Sequence, residues 1–260
     1  MDPTSRLRNQ IISQNLPCPS SSLLASLTST RSPPPPLPSL VATAKARLLA
    51  CDLTTSDLVD SSQLSSFPAE ILRSPSPQEL SLPQDIFVQV LDIENLSSSR
   101  WEQIEELEAI ERGERTRGRQ IIRVTGEADG DGEGDGDGTQ SNGSRDAASA
   151  VSGRPSVAAL GPGRNATHRL VVQDPSGQRV YAVELQRMPE IRVATTSIGC
   201  KMLLRAGSIV ARGTVLLTPE TCLILDGKIE PWHDAWVVSR MARLKEAVGA
   251  GTNGAAPTSR

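Results

Sequence analysis

The chain has 260 residues, 20 of them glycine and 19 proline, with six aromatic side chains and 37% hydrophobic residues. That apolar share lies below the roughly 45–50% of packed domains, so part of the chain is expected to stay outside any core. A net charge of −3 names no partner class. No stretch approaches the roughly 20 apolar residues of a membrane helix, and Met-Asp-Pro-Thr-Ser-Arg lacks the apolar centre of a secretory signal.

Residues 1–82 hold 17 serines and 11 of the prolines, broken by short apolar clusters. Leu7, Ile11 and Ile12 share one helical face, and Leu23, Leu24 and Leu27 form another. Pro38 suits a first helical turn and is followed by Leu40, Val41, Ala44, Leu48 and Leu49 at helical spacing. Pro33 to Pro36 is a connector without amide donors. The region reads as a small, loosely built three-helix unit, the alternative being a Ser/Pro tail with incidental leucines. From Ile86 to Ile93 the chain is strand-like. Ser99-Arg100-Trp101-Glu102 is a capping box, opening a helix with Trp101, Ile104, Leu107 and Ile110 on one side and a stop near Gly113. Gln120 to Val124 reads as a short strand.

Residues 126–144 carry six acidic residues and seven glycines, too few apolar groups to offset ordering entropy, so a disordered insertion over 126–166 is expected. Its alternating carboxylates do not make a calcium loop, because the twelfth position from Asp129 is Gln140 and no helix follows. His168 to Gln173 is a strand, Asp174-Pro175-Ser176-Gly177 a type I turn. Arg179 to Leu185 returns with Tyr181, Val183 and Leu185 on one face. Lys201 to Arg205, a long Ser208–Leu217 strand bent or bulged at Gly213, and Cys222 to Leu225 before Asp226-Gly227 complete the set. Pro231 to Val248 forms an amphipathic helix stopped by Gly249, with Val237, Met241, Leu244 and Val248 on one face. The expected organisation is α+β: a helical region over 1–82, a five-stranded OB-fold barrel with a closing helix over 83–248, and a flexible tail over 249–260.

No catalytic constellation is present. His168 reads as a barrel-edge residue and His233 as a solvated helix position. No phosphate loop, nucleophile elbow or paired-cysteine zinc pattern occurs. Cys18, Cys51, Cys200 and Cys222 lack ligand spacing and read as reduced thiols. Neither enzyme activity nor a cofactor is expected. Between Gly163 and Val248 there are 12 Lys/Arg against 8 Asp/Glu, but the only rings are Tyr181, Trp232 and Trp236. A base-stacking surface needs interleaved aromatics, so a protein-binding barrel is favoured over an autonomous single-stranded DNA binder of replication or telomere maintenance.

The string Val88-Gln89-Val90-Leu91-Asp92-Ile93-Glu94-Asn95, then Ser99-Arg100-Trp101-Glu102-Gln103 and Ile110-Glu111-Arg112-Gly113-Glu114, resembles the fungal form of the RecQ-mediated genome instability protein 1 family. Arg169-Leu170-Val171-Val172-Gln173-Asp174, Gly199-Cys200-Lys201 and Gly213-Thr214-Val215-Leu216-Leu217-Thr218-Pro219-Glu220 are similar to the rest of that family's OB domain. The resemblance covers roughly residues 84–125 and 167–230. It implies a non-catalytic nuclear subunit that binds a type IA topoisomerase, topoisomerase III, and joins a RecQ-family helicase. Such a complex dissolves double Holliday junctions and decatenates DNA, the subunit itself touching DNA weakly or indirectly. It also implies that an insertion between early strands, here Glu114 to Ala166, reaches toward the topoisomerase gate. The acidic centre departs from a wedge, so the ordered contacts are expected at the insertion's edges: Arg115, Arg117, Arg119, Ile121 and Ile122 on one side, Val157 and Leu160 on the other. Lys201 aligns with a lysine at the family's partner surface and is implied as a contact.

Overall fold

In a computed structural model, the described residues are 3–29, 35–73, 78–113 and 166–253. Three helices open the chain: α1 Pro3–Ile12, α2 Ser21–Ser29 and α3 Leu37–Ala50. Pro38 lies in the first turn of α3, where its missing amide has no helical partner to lose. Leu7 and Ile11 of α1, Leu23, Leu24 and Leu27 of α2, and Leu40, Ala44 and Leu48 of α3 share one core. Ile12, expected on the inner face of α1, is exposed. The chain then runs through Leu53, Val59 and Leu64, still packed on the helices, before Phe67 and Ile71 enter a second core. By packing, the divide thus falls between Leu64 and Phe67, upstream of the expected 82/83.

The second core lies inside one curled sheet of eight strands, ordered β1-β6-β7-β4-β3-β2-β5-β8. The strands are β1 Glu79–Ser81, β2 Ile86–Asn95, β3 His168–Gln173, β4 Arg179–Glu184, β5 Lys201–Leu204, β6 Ile209–Ala211, β7 Thr214–Leu217 and β8 Cys222–Asp226. All neighbours are antiparallel except β4 and β7. The long β2 pairs β3 through its C-terminal half and β5 through its N-terminal half, with a register shift between Val90 and Asp92. One strand thereby joins both flanks of the curl. Val88, Leu170, Val172, Ala182, Met202 and Val215 fill its interior.

One expectation about the strands is corrected. Ser208–Leu217 is a hairpin: Arg212 and Gly213 stand at φ 47° and 75°, with Ala211 paired to Thr214 across them. Two residues at positive φ make the tight turn whose twist suits antiparallel strands. On β4 the face shared by Tyr181, Val183 and Leu185 is the outer one, while Val180, Ala182 and Glu184 are buried.

Helix α4, Arg100–Glu111, starts at the capping box, with the Ser99 hydroxyl accepting from the Glu102 amide and Glu102 accepting from the Ser99 amide. It buries Gln103 and Ile104, whereas Trp101 is exposed and not on the inner side. Helix α5 runs from Glu230 to Asn253, past Gly249, and α4 packs along it. Trp236 enters the sheet core with Trp232 and Val237 packed beside it. The Trp236 indole N–H donates to Asp92, while Arg240 and Arg243 lie over its ring at 5.5 and 5.7 Å. His233 is not a solvated position: its Nδ1 accepts from the Ile198 amide at 3.1 Å and its ring stacks near Trp236.

Helical unit and sheet are joined by buried polar contacts. Gln89, wholly buried on β2, accepts from the Leu53 amide at 3.0 Å and donates to Asp52 at 2.7 Å and Gln173 at 3.1 Å. Burial alone would raise the Asp52 carboxyl, but hydrogen bonds from Gln89, Thr54 and Thr55 outweigh it and hold the group below its usual range. Within the sheet unit, buried Asp174 accepts from the Phe67 amide at 2.8 Å, from Ser176 at 2.7 Å and from the Gln178 amide at 2.8 Å, tying the incoming chain to the β3–β4 turn. Gly227, at φ 103°, lies so close to Leu49 that a Cβ there would stand 2.5 Å from its carbonyl oxygen.

Candidate functional site

The insertion leaves from Gly113, at the end of α4, and returns at Ala166, ahead of β3. Arg115, Arg117, Arg119, Ile121, Ile122, Val157 and Leu160 lie outside the described residues, as does the expected strand at Gln120–Val124. The root from which they are presented is described. The Leu96 amide donates to the Thr167 carbonyl at 2.9 Å, and the Thr167 amide to the Ser97 hydroxyl at 2.9 Å. The Gln103 amide nitrogen donates to the carbonyls of Asn95 and Ser98 at 3.1 and 3.0 Å. The returning end of the insertion is therefore tied to the turn after β2, while the departing end is the C-terminus of α4, whose start is bonded to that same turn.

Beneath this root lies a buried ionic network. Glu184 Oε2 accepts from the His168 amide at 2.7 Å and lies 2.8 Å from His168 Nδ1. Its Oε1 accepts from Arg187 at 2.7 Å and from the Met188 amide at 3.0 Å. Burial pushes the Glu184 carboxyl up, but the hydrogen bonds from His168 and Met188 prevail and hold it below its usual range. Arg187 also donates to the carbonyls of Met188 and Ile191 at 2.8 and 3.1 Å, fixing the loop after β4. His168 is thus an inner pillar, not a barrel-edge residue. The pairing was readable only as a histidine and a glutamate on adjacent strands, a pattern that carries no signal until the register is known.

Above the network, apolar side chains face solvent. Leu96, Trp101 and Leu185 are 48%, 61% and 61% exposed. Asn95 pairs with His168, which Glu184 of the next strand holds, so Leu96 and Leu185 follow on either side of Thr167. Glu94 beside them bonds both Arg100 and Arg169, and the Arg169 guanidinium covers the Tyr181 ring at 5.0 Å. Leu96 and Leu185 thus flank the returning end of the insertion, and Trp101 stands exposed on the first turn of α4. Sequence reasoning set Trp101 on one side of α4 and Leu185 on one face with Tyr181 and Val183, and did not single out either as a solvent-facing group.

Lys201 is not part of any such surface. It is wholly buried, with its ammonium donating to the carbonyls of Gly199 at 2.6 Å and Leu49 at 3.3 Å. Burial lowers its pKa to about 8. A group with no accessible area touches no partner; it pins α3 to β5 instead. Among the described residues, no group of three or more His, Cys, Asp or Glu is placed to hold a metal ion.

A curled sheet sealed by a helix and fronted by three helices defines an OB-fold protein with an N-terminal helical domain. Residues 12–56 match the family model described as RMI1, N-terminal helical domain, and residues 67–240 match RMI1, N-terminal OB-fold domain. The chain belongs to the RMI1 family. It is similar to RecQ-mediated genome instability protein 1 of Schizosaccharomyces pombe, 25% identical over 156 residues, which are 60% of this chain and 61% of that one. The matched stretch is thus less than two thirds of the relative's length.

Proposed function

We propose that the chain is a non-catalytic scaffold subunit of a nuclear RecQ helicase–topoisomerase III complex that promotes double Holliday junction dissolution and decatenation. Membership of the RMI1 family is the observation that carries this reading, since the relative's name ties it to RecQ and genome stability. The rim of Leu96, Trp101 and Leu185 is the docking surface, and the insertion's edges, Arg115 to Ile122 and Val157 to Leu160, supply further contacts. A subunit that binds the opened form of a strand-passage gate more tightly than the closed form shifts the enzyme toward opening. That is work for a scaffold without catalytic groups. Autonomous binding of single-stranded DNA is the weaker reading: the outward face of β3 and β4 offers one ring, Tyr181, and Arg169 already covers it.

The test is co-purification with topoisomerase III, together with the chain's effect on decatenation. Trp101→Glu with Leu185→Glu is expected to weaken docking at least tenfold, about 1.4 kcal/mol or more. Removing residues 114–165 is expected to abolish stimulation of decatenation. Undiminished docking and stimulation in both variants would overturn the proposal. Tight oligonucleotide binding by the isolated chain with a steep salt dependence would favour the other reading.

A further inference from the structure

The helical unit carries a second surface, away from the insertion root. Between α1 and α3 runs a groove of about 460 Å³, lined by Gln10, Gln14, Leu37, Pro38, Val41, Ala42 and Lys45. Its floor is apolar and its rim polar, the proportions of a site that seats an apolar side chain while its surroundings fix orientation. Gln10, Ala42 and Lys45 are exposed. Among the described residues, the side chains of Gln10, Gln14 and Lys45 make no ion pair or hydrogen bond with the rest of the chain.

The charge of the unit selects the occupant. Between Pro3 and Cys51 the sequence contains no Asp or Glu, while Arg6, Arg8, Lys45 and Arg47 are spread over α1 and α3. Arg6 stands one helical turn before Gln10 and continues the same stripe of α1. The rest of the chain is net acidic, so the cation-only helices are a local asymmetry rather than a property of the protein. The carboxylates of the unit, Asp52, Asp57 and Asp60, lie on the segment after α3 and none lines the groove, so the charges on the two helices that form it are cationic, which attracts carboxylates and repels basic segments.

We infer that the α1–α3 groove is a docking site for an acidic amphipathic peptide segment of a partner protein. Its apolar side chains rest on Leu37, Pro38, Val41 and Ala42, and its carboxylates face Lys45 and Arg6. An apolar helix face laid into a groove is one of the common modes of peptide capture, and it buries a stripe spaced by three and four residues. Ala42 and Lys45 set specificity because they stand at the rim. This surface is separate from the rim at the insertion root.

The experiment uses the full chain and a fluorescein-labelled 16-residue peptide with leucines at helical three-and-four spacing and glutamates between them. Anisotropy is expected to show binding that weakens at least tenfold from 50 to 300 mM salt. A peptide with lysine in place of glutamate, and one with its leucines scattered, are expected to bind at least tenfold more weakly. Ala42→Glu with Lys45→Glu is expected to lose at least tenfold in affinity with an unchanged melting temperature, since both positions are exposed. Absence of glutamate-peptide binding, equal binding of the lysine peptide, or full binding by the double variant would overturn the inference. So would a single-stranded oligonucleotide that displaces the peptide and loses its own binding in the double variant, because the surface would then be a nucleic-acid site.

Discussion

The ammonium of Lys201 sits where α3 ends and β5 begins, bonded to the backbone carbonyls of Leu49 and Gly199. Burial has lowered its pKa to about 8, whereas an unfolded lysine titrates near about 10.4. Below pH 8 both states hold the proton and stability does not change through this group. Between pH 8 and about 10.4 the unfolded chain holds more protons than the folded one, so stability rises with pH. Urea titrations at pH 7, 8, 9 and 10 are expected to show the wild type gaining on Lys201→Met across that window; a constant difference would contradict the assignment. Glu184 follows pH with the same sign in a more acid window, because folding lowers its pKa too. Its folded carboxyl is held below the usual range, so its stabilisation is complete above the unfolded value near about 4.3 and is lost as pH falls through the depressed one. Melting temperatures from pH 6 to 3 are expected to fall more steeply for the wild type than for Glu184→Gln, which has no charge left to protonate.

At the scale of elements, glycines at positive φ separate strain from contact. Gly207, at φ 89°, has open space where a Cβ would stand, whereas Gly227, at φ 103°, faces the Leu49 carbonyl oxygen at 2.5 Å. Gly207→Ala is expected to cost about 1 kcal/mol from backbone strain alone. Gly227→Ala is expected to cost at least about twice that, because α3 must also retreat. Denaturant midpoints of the two variants check the difference. The same scale shows what a sequence makes visible. Capping and turn chemistry was fully legible: Ser99 with Glu102, and Asp174 through Gly177, act within four residues of chain. The three N-terminal helices were legible from spacing. The β6–β7 hairpin was not, because Arg212-Gly213 interrupts an apolar run without the usual Asn or Asp signal. Which face of β4 is buried was not legible, because both faces are apolar and the buried one ends on Glu184, whose acceptability depends on His168 from another strand. Lys201 looked like a surface cation for the same reason, since the carbonyl of Leu49 that holds it lies 152 residues away.

For the whole molecule, the buried bonds of Gln89 and Lys201 make helices and sheet one mechanical body. All three tryptophans lie on the sheet side, at positions 101, 232 and 236, so their fluorescence reports that half, while far-ultraviolet circular dichroism reports all the helices. In urea the two signals are expected to change together in the wild type. In Gln89→Leu, which removes the bonds to Leu53, Asp52 and Gln173, the dichroism change is expected to precede the fluorescence change as α1 to α3 melt first. Coincident transitions in the variant would show that apolar packing alone couples the two halves. The described part of the Ser/Pro-rich N-terminal region, which in composition resembles a tail, is thereby part of the folded unit.

The tie between Leu96 and Thr167 has a consequence for how this protein can change over time. Both ends of the insertion are secured within the fold, by β-ladder pairing on one side and helix packing on the other. The free-energy cost of closing a chain segment grows only with the logarithm of its length, about 0.6 kcal/mol per doubling. The stretch between Gly113 and Ala166 can therefore lengthen, shorten or exchange its contents while the socket keeps its shape. The insertion behaves as a replaceable cassette, and related chains can alter what they present to a partner without redesigning the body that presents it.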